Sequence, residues 1–487
     1  MATDEQQGLV FPRDDQGRRS TSDLGRAVVA DALRAADPTG ARAAAQATAW
    51  RSDYLGHVRR LVEAGLTSPE AAVGIARDGL DSLHRRMVVA DRDGDHPLAD
   101  WPEDGEKLDG VEVVGNGRPQ TELVLPYRGR RLAGDDLRRQ LDRWVLDGVV
   151  EPTVREAVET VLAHSDWLRL EGRTVAVLGA GAEMGPLPSL MRWGARVAAV
   201  DLQAPPIWQR LLDTAKSGAG RLVAPVQQGR DGGLDQVAGV DLLGDVPAVA
   251  RWLADQPGTL VLGNYVYADG AVNTRLSTAV DELTVRLQGL RDDVALGFLA
   301  TPTDVFVVPA EAVEHSTRSY DGRGARSKAF GRPLRTLSGG RLLRRQYLAG
   351  SDPGINDSLV AQQGPNYALA KRVHRWRATV ARRDGAVVSM NVAPPTRTRS
   401  VLKNRALAAA YAGAHRFGVE VFDPSTANVL MAALLVHDLH TGGGPTHEHP
   451  WQDEAYAAAH GGLWRTAYAP RSALGLAAVL GYGAARG

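Results

Sequence analysis

The sequence predicts an α/β protein: a doubly wound parallel sheet preceded by a mainly helical domain. Three observations predict it. Beyond Gly172, short apolar runs alternate with helical patterns; a glycine-rich turn follows the first of those runs; and the preceding residues carry helical periodicity with little strand signal. Parallel neighbours need long crossover connections, which cover both faces of a sheet and make its strands read as unbroken apolar runs. At 487 residues the chain is also long for one ordinary core.

Residues 1–22 are polar and charged and are expected to form a disordered tail. Residues 23–170 read as the mainly helical domain. Ser68-Pro69-Glu70 has the form of a helix start, with Ser68 as N-cap and Pro69 in the first turn. Two short apolar runs, 111–114 and 122–126, flank Gly115-Asn116-Gly117 and predict a small hairpin. Helical patterns resume over 135–146 and 152–162. The third region, 171–487, holds the predicted strands at 174–178, 196–200, 222–226, 259–262, 294–299 and 386–392, with a further strand at 419–422.

Composition narrows the function. Formal net charge is zero, so long-range attraction to nucleic acid or to an anionic membrane is not implied. Cysteine is absent, which removes disulfides, thiolate metal sites and thiol nucleophiles. The first residues lack the basic and apolar regions of a secretory signal, and no apolar run reaches the ~18 residues that span a bilayer. A cytoplasmic protein acting on a small molecule, without membrane or nucleic-acid partner, is the expectation.

The segment Gly179-Ala-Gly181-Ala-Glu-Met-Gly185 lies between a predicted buried strand and a predicted helix. Glycines there permit a sharp turn and close approach to a pyrophosphate, which the following helix N-terminus would attract. Asp201 ends the second strand, where a carboxylate accepts hydrogen bonds from ribose hydroxyls. The order strand, glycine turn, helix, strand, acid marks a Rossmann-type dinucleotide site, and the acid favours NAD over NADP. S-adenosylmethionine is bound at a similar turn, so a methyltransferase is the first alternative.

Five lysines stand against fifty-two arginines, yet one of them, Lys371, follows Tyr367 by four residues. On a helix these two share a face. A cation beside a phenol favours the phenolate and gives a proton donor and acceptor suited to carbonyl reduction or alcohol oxidation. A methyltransferase has no need of such a pair.

Together these features resemble the short-chain dehydrogenase/reductase family over about residues 173–425. Gly179, Gly181 and Gly185 are similar to its glycine turn, although Leu187 stands where a further glycine is usual. Asn264 resembles the family's asparagine after the fourth strand, and Tyr367 and Lys371 match its catalytic pair. Asn391-Val-Ala-Pro394-Pro395-Thr-Arg-Thr398 is similar to the segment leading to a threonine beside the nicotinamide. The family's serine has no counterpart, and an insertion at about 303–360 separates the fifth strand from the tyrosine. The resemblance implies Tyr367 as acid/base, Lys371 as its modulator and a ligand of the nicotinamide ribose, and a hydroxyl from Thr301, with Thr303 or Ser358 as substitutes. Gly179, Gly181, Gly185, Asp201, Asn264, Lys371 and Thr398 are the implied cofactor contacts. Loss of the serine leaves a catalytically inactive nucleotide-binding protein as a second alternative.

Two further clusters gather charged or metal-binding side chains. Nine cations between Arg318 and Arg345 face one acid, Asp321, and suit either an anionic substrate or an oligomer contact. Arg397 and Arg399 lie near the implied nicotinamide. His437, His440, His447 and His449 lack a spacing that would unite them on one metal, so polar loop histidines are expected.

Overall fold

The computed structural model describes residues 7–103 and 105–483, without the side chains of residues 325–328, 330 and 332. It is a mixed α/β structure around a seven-stranded, mostly parallel sheet. In chain order the strands are β1 (Gly8–Val10), β2 (Val88–Ala90), β3 (Asp95–Pro97), β4 (Leu108–Val114), β5 (Leu125–Tyr127), β6 (Arg130–Leu132), β7 (Arg173–Leu178), β8 (Arg196–Val200), β9 (Arg221–Gln227), β10 (Thr259–Asn264), β11 (Ala295–Ala300), β12 (Val305–Val308), β13 (Gly354–Asp357) and β14 (Val388–Val392). The sheet runs β14-β11-β10-β7-β8-β9-β4. Its six parallel strands thus lie in the doubly wound order, which reverses between β7 and β10 and opens a crevice at their carboxyl ends.

The parallel strands are apolar because helices cover both faces. Val175, Ala176, Val177 and Leu178 of β7 and Val197–Val200 of β8 are fully buried. On one face lie the helices Ala271–Leu290 and Gly364–Arg383, themselves covered by Thr21–Leu33 and Pro69–Arg86. On the other lie Leu187–Trp193, Pro152–Ala163 and Pro424–His440, the last buried along nearly its whole length. Ser68 caps its helix as expected, accepting the Ala71 N–H at 3.1 Å. One apolar core runs from Leu9 and Val28 through Leu80 and Leu83 to Leu262 and Val373, so the N-terminal helices and the sheet are packed as one body.

Three expectations are corrected. Residues 7–22, read as part of a tail, contain β1, where Leu9 and Val10 are completely buried and pair with Val89 and Val88. The hairpin expected around Gly115-Asn116-Gly117 does not form; β4 pairs antiparallel with β9 instead, Val111 opposite Ala224. The glycines serve close backbone approach, since a Cβ on Gly115 would lie 2.3 Å from the Gly218 carbonyl oxygen, and the Gly115 and Gly117 amides donate to Gly220 and Gly218. Residues 419–422 form a single bridge, Phe422 to Thr396, rather than a strand. Among the described residues, no helix is long and apolar enough to cross a membrane.

Candidate active site

β7 delivers the chain into the glycine turn at the crevice. Gly179 has φ +73°, and a Cβ there would stand 3.0 Å from the Tyr265 carbonyl oxygen, so both conformation and space require glycine. A Cβ on Gly181 would meet Ile207 Cγ2 at 3.1 Å and Asp201 Oδ2 at 3.2 Å. Asp201 is brought to this turn, as its position at the end of β8 predicts. It accepts the Gly181 N–H at Oδ2 and the Leu202 N–H at Oδ1, each at 2.8 Å, and burial holds its carboxyl above the usual range. Each carboxylate oxygen keeps lone pairs for a further donor.

The phosphate-binding expectation for the helix is corrected in part. The helix Leu187–Trp193 has seven residues, and proline occupies its first turn, where a free N–H was expected. Within the turn, the amides of Gly179 and Ala180 donate to Val200, that of Ala182 to Gly179, and that of Gly185 to Ala182. The Gly185 carbonyl in turn accepts from the Asn428 side chain. Thr398 sits across this turn, because the next residue, Arg399, gives its backbone N–H and Nε to the Glu183 carboxylate at 2.8 and 2.7 Å. The loop after β14 is thereby clasped to the loop after β7. Arg397 is paired with Asp423 at 2.7 Å.

The catalytic candidates lie on the helix Gly364–Arg383 and at the end of β11. Lys371 Nζ is 5.8 Å from the centre of the Tyr367 ring, on one helix face as the spacing predicts. The structure also brings Thr301 to Tyr367, across the whole insertion. Burial raises the phenol above its ordinary value, and the hydrogen bond from the Thr301 hydroxyl draws it the other way. Burial lowers Lys371 itself to about 8, against a smaller opposing pull from Asp304. At neutral pH the ammonium is still mostly charged.

Thr301 Oγ1 is 3.0 Å from Thr303 Oγ1, which accepts from Gln363 Nε2 at 2.9 Å. Gln363 Oε1 accepts the Val360 N–H at 3.0 Å, which turns its amino group toward Thr303. Gln363 donates to Thr303, either threonine hydroxyl can donate to the other, and Thr301 lies beside the phenol oxygen. A hydroxyl that donates to that oxygen stabilises the phenolate. Thr303 and Gln363 therefore belong to the site, and Gln363 is a residue the sequence did not indicate. Ser358 does not reach the tyrosine; its hydroxyl donates to Asn356 Oδ1 at 2.7 Å. Asn264 is buried and accepts the Val266 N–H at 3.4 Å, shaping the loop after β10. That loop carries Tyr267, whose ring meets Tyr367 edge-on at 6.2 Å.

No family model matches this chain, and no curated protein matches it. Among solved structures it is similar in part to a thiolation-reductase di-domain from an archaeal non-ribosomal peptide synthetase, at 10% identity and a TM-score of 0.26. The match covers 54% of this chain and 52% of that one, so the chain spans about half the length of this neighbour.

The remaining clusters have other partners. Arg323 stacks on Tyr320 at 3.3 Å, Arg345 pairs with Asp321 at 2.6 Å, and Arg335 donates to the Tyr320 hydroxyl at 3.0 Å; the side chains of Arg326, Lys328 and Arg332 lie outside the described residues. His437 contacts Asp438, His447 contacts Asp453 and His440 stacks on Trp167. Among the described residues no group of three such side chains is placed to hold a metal ion.

Proposed function

We propose that the protein is an NAD-dependent oxidoreductase of short-chain dehydrogenase/reductase type, acting on a carbonyl or alcohol group. The observation that carries this reading is the meeting of Thr301, Tyr367 and Lys371 at the carboxyl end of the sheet, with the Gly179 turn and Asp201 on the same crevice. Gly179 and Gly181 let the turn pack close against Tyr265 and Asp201, and Asp201 keeps acceptor capacity for ribose hydroxyls, so these residues, with Thr398, would hold the dinucleotide. A bound nicotinamide supplies or takes up the hydride.

The chain's own residues manage the proton. In reduction, Tyr367 gives its hydroxyl proton to the developing alkoxide, and the Thr301 hydroxyl stabilises the phenolate left behind. Lys371, still charged at neutral pH, adds to that stabilisation and has ammonium protons for ribose hydroxyls. Oxidation of an alcohol reverses the transfer. A second reading, nucleotide binding without turnover, is favoured by the turn amides already donated within the protein.

Thermal unfolding with NADH, NADPH and S-adenosylmethionine in parallel tests the assignment. NADH should raise the Tm most; a preference for S-adenosylmethionine would point to methyl transfer. Tyr367→Phe should then lower carbonyl turnover by ~10²–10⁴ and keep the NADH-induced rise, whereas binding without any turnover in the unsubstituted protein would favour the second reading.

A further inference from the structure

A cavity of about 80 Å3 adjoins the Thr301–Thr303 hydroxyl pair through Thr303, and no charged residue lines it. Its inner end is formed by Thr303, Ser358, Val360 and Pro395, and Tyr411 stands at its side. Thr303 is one hydrogen bond from Thr301, and Tyr411 is close enough for its phenol to feel the charge of Tyr367. The outer walls come from two helices packed on each other, Arg405–Gly413 through Ala410 and Pro470–Gly481 through Ala473 and Ala477, together with Phe417 and Leu463. Three of the polar groups on the wall are committed: Thr303 to the hydroxyl chain, Ser358 to Asn356, and Thr466 to the Tyr468 carbonyl. A charged occupant would lose its hydration there and meet no opposite charge.

A second, polar cavity of about 250 Å3 shares Tyr411, Val419 and Val421 with the first, and contains Arg128, Arg397 and Glu420. Its arginines are already paired, Arg128 with Glu420 and Arg397 with Asp423. Charge is thus confined to one side of Tyr411 and excluded from the other.

We propose that the apolar cavity receives an unbranched alkyl branch of the substrate, whose carbonyl or hydroxyl oxygen meets Tyr367. At about 30 Å3 per water-sized group, the volume accommodates roughly three carbon atoms. The inference rests on the oxidoreductase reading for the word substrate, but the cavity can be tested apart from turnover.

Calorimetric titration of the full chain with straight-chain 1-alkanols, from methanol to hexanol and without cofactor, reads the cavity directly. Affinity should rise about fourfold per added methylene and level off near three or four carbons. Ala473→Leu should move that plateau to shorter chains, and Leu474→Ala to longer ones. NADH-dependent reduction of the matching alkanals should follow the same length profile. Affinity independent of length, or plateaus unmoved in both variants, would overturn the assignment of the cavity. Length-dependent binding with no alkanal turnover would instead remove the oxidoreductase reading, and the substrate assignment with it. Turnover that ignores chain length would leave that reading standing and overturn this one.

Discussion

On the helix Gly364–Arg383, Arg372, Arg375 and Arg377 are each matched to a buried carboxylate, whereas Lys371, beside Arg372, meets none within ion-pair distance among the described residues. Arg372 and Arg375 bind the two oxygens of Asp304 at 2.9 and 2.7 Å, Arg375 also holds Glu454, and Arg377 shares Asp281 with His84. These pairs fix the helix against β12 and the N-terminal helix Pro69–Arg86. Because their charges are mutually compensated, removing one leaves its partner buried and unpaired. Lys371 is held in a half-buried place with only a smaller pull from Asp304 to offset it, and burial drives its proton affinity down to about 8. On the proposed reading, the contrast separates anchoring cations from a cation placed for chemistry, since perturbed protonation equilibria gather at functional sites.

The comparison is broken most severely at Arg375. Arg375→Met leaves Asp304 and Glu454 without their shared guanidinium, and should cost about 3–5 kcal/mol of stability, read as a lowered midpoint in chemical denaturation. An unchanged midpoint would mean the pairs do not anchor the helix.

The opposite sign is expected one turn earlier. The folded value of Lys371 lies below the usual 10.5, so between about pH 8 and 10.5 the unfolded chain binds more protons than the folded one. The cost of the buried charge is therefore present in full below pH 8 and is relieved as the pH rises through that window. Lys371→Met should stabilise the fold at pH 7 by about 0.5–2 kcal/mol while impairing turnover. If the tyrosine works with a charged lysine, kcat/KM for reduction should also fall above pH 8, and Lys371→Arg should abolish that limb, because guanidinium does not titrate there.

How much of this was legible depends on what each segment buries. The six parallel strands of the sheet were readable because both faces are covered, which leaves no alternation to misread. β4 was not assigned to the sheet because it is an edge strand with most residues exposed, and its pairing with β9 depends on glycines that resembled a turn. Tyr367 and Lys371 were legible from local spacing alone. Thr301 needed the resemblance to place it, since the insertion at 303–360 hides its proximity. Commitment of the turn amides, and the lack of an ion pair for Lys371 among the described residues, depend on three-dimensional neighbours and leave no trace in spacing. Gln363 was invisible for the same reason: its role comes from a short 3₁₀ turn over Ala361–Gln363 that aims its amide at Thr303.

That last residue also gives the gentlest test. If Gln363 only fills space, Gln363→Met should leave the pH dependence of alcohol oxidation where it is. If it orients the hydroxyls, its loss frees Thr303 to turn away, Thr301 ceases to donate steadily to Tyr367, and the phenolate needed as base becomes harder to form. The net value of one neutral hydrogen bond is about 0.5–1.5 kcal/mol, so the oxidation rate at neutral pH should drop by a few-fold to roughly tenfold. Its alkaline limb should shift to higher pH by up to about one unit. Thr301→Val removes the donor itself and should show the same shift, with reduction less affected because Tyr367 then starts protonated. A fall in rate without movement of the limb would assign Gln363 to packing and leave Thr301 as the sole hydroxyl acting on the tyrosine.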